Sequence, residues 1–149
     1  MIRKAKIEDI KPIQNLINFF AKQDLMLARS LNELYENIRD FWVYEEKLKV
    51  LGCAALHISW DNLAEIKSLA VAKNKQGKGI GQNLIQACLE EAKFLGAKQI
   101  FVLTYRSEFF KKFGFKRIKN SDLPHKIWAE CINCCKFPNC QEVAMIKQL

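Results

Sequence analysis

Between residues 76 and 81 the chain reads Gln76-Gly77-Lys78-Gly79-Ile80-Gly81, three alternating glycines ahead of an apolar helical pattern. Glycine lets a backbone turn tightly and approach a ligand closely. The first amides of a helix lack intrahelical partners and sit at the positive end of its dipole. The chemistry on offer is an anion cradle suited to a diphosphate. The segment has neither the Gly-Lys-Ser/Thr ending of a phosphate-binding P-loop nor the spacing of a dinucleotide fingerprint. Upstream, Glu65 is the single acid of the stretch 64–72. An α-amine has a pKa of about 8 and is mostly protonated at neutral pH, so a carboxylate that takes its proton would create a nucleophile. Strict strand alternation would set Glu65, Lys67, Leu69 and Val71 on one face. Arg29, ahead of a helix, and Arg106, at the end of an apolar run, present guanidinium forks that grip carboxylates. Lys67 adds a positive charge beside Glu65. Each base also reads as a solvated surface residue, and Glu65 as an edge-strand acid paired with Lys67.

Six cysteines fall unevenly. Cys53 and Cys88 sit in apolar segments, as small core residues do. Cys131, Cys134, Cys135 and Cys140 crowd into Cys-Ile-Asn-Cys-Cys-Lys-Phe-Pro-Asn-Cys, with His125 upstream. Zinc or an iron–sulfur cluster is one reading. The second spaced pair of a zinc site is missing, so a redox-sensitive or structural loop is the other, and the metal stays unknown.

The elements that must hold these groups alternate strand and helix. Residues 2–7 read as a strand, and Glu8-Asp9 with Pro12 opens a helix whose inner face is Ile10, Ile13, Leu16, Ile17 and Phe20. Ser30 with Glu33 forms a capping box, and Leu31, Leu34, Tyr35 and Ile38 line the helix that follows. Strands are expected at 41–46, 50–60 and 64–72, the first two joined by a hairpin. Leu84, Ile85, Cys88, Leu89, Ala92 and Leu95 mark the helix after the glycines, and Gly96 ends it. The run 99–105 reads as a buried parallel strand. A helix over 108–113, a strand from 115 and a last strand over 142–148 follow.

The chain has 149 residues, half of them hydrophobic, and fits one domain spanning 1–149. Lys and Arg number 24 against 16 Asp and Glu, a net charge of +8. The bases are scattered, with no basic arm, so a nucleic-acid partner is not expected. No apolar run is long enough to span a membrane and no signal peptide is evident, so the expected location is the cytoplasm.

Gln76, Gly79 and Gly81 fill the fixed positions of Gln/Arg-x-x-Gly-x-Gly/Ala. Leu69-Ala70-Val71 precedes them and Phe109-Phe110-Lys111-Lys112-Phe113-Gly114-Phe115 follows. In these features the chain resembles the GCN5-related N-acetyltransferase (GNAT) superfamily, in element order over nearly its whole length. The resemblance implies an α/β (α+β) fold, a mixed, mostly antiparallel sheet of about six or seven strands flanked by helices. It also implies acetyl-CoA as co-substrate, with the diphosphate on the amides of Gln76, Gly77, Lys78, Gly79, Ile80 and Gly81. The pantetheine arm would add strand-like to Leu69, Ala70 and Val71. Glu65 would be the general base. Many relatives carry a proton-donating Tyr where this chain has Phe110. Ser107, Tyr105 or no acid at all are then the alternatives; Ser107 is favoured, although it reads equally as a helix N-cap.

Ala28-Arg29-Ser30-Leu31, Glu65, Val102-Leu103-Thr104-Tyr105-Arg106-Ser107 and Asp122-Leu123-Pro124 are similar to the short, stand-alone N-acetylglutamate synthase type. That implies L-glutamate as acceptor in the first step of arginine biosynthesis, with Arg29, Lys67 and Arg106 as its clamps. A homodimer through an exposed final strand would suit the superfamily. Acetylation of another small amine or a protein N-terminus is the nearest alternative. A catalytically silent acyl-CoA sensor is the alternative of a different class.

Overall fold

The computed structural model describes residues 1–123 and 142–149. Its seven strands are β1 (Ile2–Lys4), β2 (Phe41–Glu46), β3 (Lys49–Trp60), β4 (Leu63–Val71), β5 (Gln99–Thr104), β6 (Lys116–Ile118) and β7 (Val143–Gln148). They form one sheet in the order β1-β2-β3-β4-β5-β7-β6. Four α-helices accompany them: α1 (Ile10–Ala21), α2 (Leu31–Glu36), α3 (Ile80–Phe94) and α4 (Ser107–Lys111). Among the described strands, β4 and β5 alone pair in parallel, as their connection through α3 requires. This is the α+β, mixed and mostly antiparallel arrangement that the resemblance implies.

Apolar spacing decides which helix covers which face. Ile10, Ile13, Ile17 and Phe20 of α1 and Leu34 of α2 pack on Val43, Cys53, Ala55 and Ala70. On the opposite face Leu84, Ile85, Cys88, Leu89 and Ala92 of α3 pack on Ala54, Leu56, Ala64, Ile66, Ile100 and Val102, joined by Phe110 and Phe115. A fully buried Leu or Ile contributes roughly 1.5–3 kcal/mol, so α3 is anchored firmly enough for its first turn to leave amides unpaired. A third cluster, Leu63, Phe101, Leu123 and Ala144, lies away from α3.

Several boundaries move for identifiable reasons. β1 stops at Lys4 because Asp9 draws the chain into a 3₁₀ turn over Ile7–Asp9. The Asp9 carboxylate accepts from the Lys6 amide at 2.7 Å and from both Arg3 Nη atoms at 2.7 and 3.0 Å. That pairing holds the Asp9 carboxyl below its usual range. Ser30 caps α2 as expected, its Oγ accepting from the Glu33 amide at 3.1 Å. α2 ends at Glu36, which leaves Tyr35 exposed and Ile38 in the next 3₁₀ turn. The β2–β3 hairpin closes through Lys47 (φ 51°) and Leu48 (φ 64°), two left-handed residues whose twist suits a two-residue loop. β7 is paired on both sides, with β5 and β6, so the final strand offers no free edge for a dimer.

Candidate active site

The site is shaped by a break in strand alternation. Cys53 pairs with Ala70 and Ala55 with Lys67, so Ser68 and Leu69 together face Ala54. Ser68 takes up this bulge with φ 57°. The Cys53 thiol donates to the Ser68 carbonyl at 3.3 Å, satisfying an oxygen displaced from the ladder. The bulge inverts the phase of β4. Ala64 and Ile66 face α3 before it, and Leu69 and Val71 face α3 after it, while Ala70 joins the α1 side. The expectation that Glu65, Lys67, Leu69 and Val71 share a face is therefore corrected. Glu65 and Lys67 point away from α3, whereas Leu69 and Val71 pack toward it.

Beyond the bulge the sheet opens. β4 and β5 pair from Leu63 with Gln99 to Ile66 with Val102. β5 then follows β7 through Leu103 and Thr104, while β4 continues to Val71 beside β3. Among the described residues the β4–β5 register ends at Ile66, and the backbone that follows borders a wedge that an extended chain could enter.

The anion loop stands at the end of β4. Gly77 has φ 77°, and Gly79 has φ 83° as the left-handed N-cap of α3. A side chain at either would meet no atom within 4 Å, so conformation, not crowding, selects glycine there. Gly81 differs: a Cβ there would lie 3.4 Å from the Phe109 ring and 3.7 Å from Val71. After Lys75, the first backbone amide of this segment to reach a carbonyl among the described residues is that of Asn83, bonded to Gly79 O at 3.0 Å. The amides of residues 76–81 thus supply a donor set that fits a diphosphate. Gln76 ties the loop to the strand, its Nε2 donating to Val71 O at 3.1 Å. Lys78 is exposed beside it.

On the other side of the sheet Glu65 is only 7% exposed and lies on the central strand, which excludes the edge-strand reading. Lys67 Nζ stands 3.8 Å from Glu65 Oε1. The cross-strand Cα partners of Glu65 are Phe101 on β5 and His57 on β3. His57 Nδ1 lies 2.6 Å from Asp40 Oδ2. This pair was not expected from the sequence. Its signal is weak: His57 is the imidazole in the Cys53, Ala55, His57 alternation of β3.

Arg106, not Ser107, is the N-cap of α4, and its amide donates to Thr104 Oγ1 at 2.8 Å. Its guanidinium is exposed and forms no ion pair with other described residues. Ser107 opens the helix and so does not cap it, a correction to that alternative. Phe110 is buried, edge-on to Phe109 and Phe115. Arg29 is already engaged, Nη1 donating to Glu33 Oε2 at 2.7 Å. Cys53 and Cys88 are core residues as expected, their thiols pushed up to about 12 by burial. Cys131, Cys134, Cys135, Cys140 and His125 lie outside the described residues. Among the described residues no group of three His, Cys, Asp or Glu is placed to hold a metal, and no helix is long and apolar enough to cross a membrane.

A mixed sheet that opens between two parallel strands, with unpaired helix-mouth amides at the opening, is the architecture of an enzyme that takes an acyl group from coenzyme A. The chain belongs to the GNAT acetyltransferase family: residues 37–117 match the model of the acetyltransferase (GNAT) domain. It is an acetyl-CoA-dependent N-acetyltransferase. An uncharacterised N-acetyltransferase of Chlorobaculum tepidum is 40% identical over 148 residues, covering 99% of this chain and 96% of that protein. The amino-acid acetyltransferase of Mycobacterium tuberculosis is 35% identical, with coverage of 87% and 76%. A crystal structure of a Mycobacterium tuberculosis protein in complex with CoA superposes with a TM-score of 0.88 at 30% identity, covering 100% of this chain and 99% of that one. N-acetylglutamate synthase from Neisseria gonorrhoeae, complexed with coenzyme A and N-acetyl-glutamate, superposes with a TM-score of 0.89 at 27% identity. That match covers 100% of this chain and 35% of the longer enzyme.

Proposed function

We propose that the chain transfers the acetyl group of acetyl-CoA to the α-amine of L-glutamate, an N-acetylglutamate synthase activity serving arginine biosynthesis. The observation that carries this reading is the place of Glu65: buried, on the central strand, and level with the last paired residues before β4 and β5 part. A carboxylate there removes the amine proton as the N–C bond forms and the thioester C–S bond breaks. Bound acetyl-CoA supplies the activated acyl group. The amides of residues 76–81 hold its diphosphate, and Leu69, Ala70 and Val71 pair with its pantetheine arm in the wedge.

Arg106 serves as the main carboxylate clamp, since its guanidinium is exposed at the end of β5. Lys67 adds positive charge beside Glu65. Arg29 contributes less than Arg106, because Glu33 competes for it. The buried Phe110 has no proton to give, so the departing thiolate is protonated by Ser107 or by water. The whole chain, 1–149, acts as this one domain, in the cytoplasm.

The test is coenzyme A thiol release with a panel of amino acids and peptide N-termini. Release with L-glutamate above all other amines is the expected result. The engagement of Arg29 by Glu33 favours, as second reading, an acceptor with one carboxylate, and preference for such an amine would replace glutamate. No release with any amine would leave an acyl-CoA sensor.

A further inference from the structure

We propose that His57 and Asp40 form a proton relay behind Glu65, taking the proton that Glu65 removes from the amine and passing it to solvent. The proposal rests on Glu65 being the base, and it assigns positioning and relay roles to two residues outside the cofactor loop.

The sheet sets the three side chains in a row. His57 on β3 is the direct antiparallel partner of Glu65 on β4, so their side chains share a face. Opposed residues of this kind hold their Cβ atoms about 4.5–5.5 Å apart. On the far side of β3 lies β2, and Asp40 immediately precedes it. The imidazole is therefore flanked by Glu65 of β4 on one side and by Asp40, just ahead of β2, on the other. Its Nδ1 is 2.6 Å from Asp40 Oδ2, which leaves Nε2 as the second working nitrogen.

Both groups behind the base are more exposed than the base itself. The Glu65 side chain is 9% exposed, Asp40 26% and His57 33%. A base sealed to that degree must still shed one proton per turnover. Among the described residues, the charged groups on the face of the ring are Asp40 ahead of β2 and Glu65 and Lys67 from β4, while Ala55, two residues before it on β3, is uncharged. The proton balance closes without a further reactant. The N–H bond of the amine breaks to Glu65, the carboxylic acid yields that proton to Nε2, Asp40 holds the imidazolium, and water removes the proton. Asp40 also fixes the tautomer, since an Nδ1–H donating to its carboxylate leaves the Nε2 lone pair free to accept.

The experiment uses the full chain. In ¹⁵N spectra of the imidazoles, H57Q identifies the His57 signals against His125. Nδ1 should carry the proton in the parent, and E65Q should displace the Nε2 resonance. In parallel, kcat is followed against pH with acetyl-CoA and the preferred amine. H57Q should lower kcat about tenfold, lose one ionisation from the profile and recover partly in free imidazole, with KM for acetyl-CoA unchanged. D40N should lower kcat without imidazole rescue. An Nε2 signal indifferent to E65Q, or an H57Q profile matching the parent beside an inactive E65Q, overturns the relay alone. An E65Q variant with parental kcat overturns the base assignment instead.

Discussion

The two ends of β4 do different work by different means. At Leu69–Val71 and the loop that follows, what matters is backbone: an open ladder edge and a fan of amides at the mouth of α3. At Glu65 and Lys67 it is side chains, the first buried and the second half-buried, on the opposite face and supported from β3. The Ser68 bulge separates the two regimes. A thioester donor that is the same in every turnover can be held by main chain, which any sequence supplies provided the glycines permit it. An acceptor is told apart by groups that side chains alone provide.

Five changes test that division. E65Q should cost the most, roughly 100-fold or more in kcat, while calorimetry shows unchanged coenzyme A affinity. R106A comes next: losing a charge-assisted grip on a carboxylate should raise the acceptor KM about 30-fold and leave the donor KM alone. R29A should raise it only a few-fold, because Glu33 already occupies that guanidinium. G79A strikes the other end. A β-carbon at φ 83° costs about 1–2 kcal/mol, so coenzyme A should bind about tenfold more weakly with kcat nearly kept. C53A is the mildest. Removing the thiol bond to Ser68 O should lower unfolding free energy by about 1 kcal/mol in urea titration and raise the donor KM slightly. If G79A altered acceptor specificity, or E65Q weakened coenzyme A binding, the two ends would not be separate.

The same contrast explains what could be read in advance. The donor end is local: glycines, helix and lead-in strand are contiguous, so their chemistry is visible in a short window. The core faces of α1 and α3 are legible because helical spacing repeats over several turns. Ser68 is not, since nothing marks a serine for a left-handed conformation, and one unseen bulge was enough to put Leu69 and Val71 on the wrong face. The His57–Asp40 contact spans two strands, and only the register of the sheet brings it together. Arg29 reads correctly as a base near a capped helix, but its neighbour Glu33, placed one turn later, serves the cap with its amide and the arginine with its carboxylate. Ser107 differs by one position, because Arg106 takes the cap and Thr104 holds its amide.

The bulge also makes chain length at this point as consequential as residue type. Straightening the strand with every residue kept would turn Glu65 and Leu69 onto a common side and slide the glycine loop one step, whereas deleting Ser68 would remove the bulge with Lys67 and Ala70 still opposite Ala55 and Cys53. A chain one residue shorter at Ser68 is expected to keep the site without the left-handed turn, whereas one residue more has no place opposite Ala54 and should displace the glycine loop.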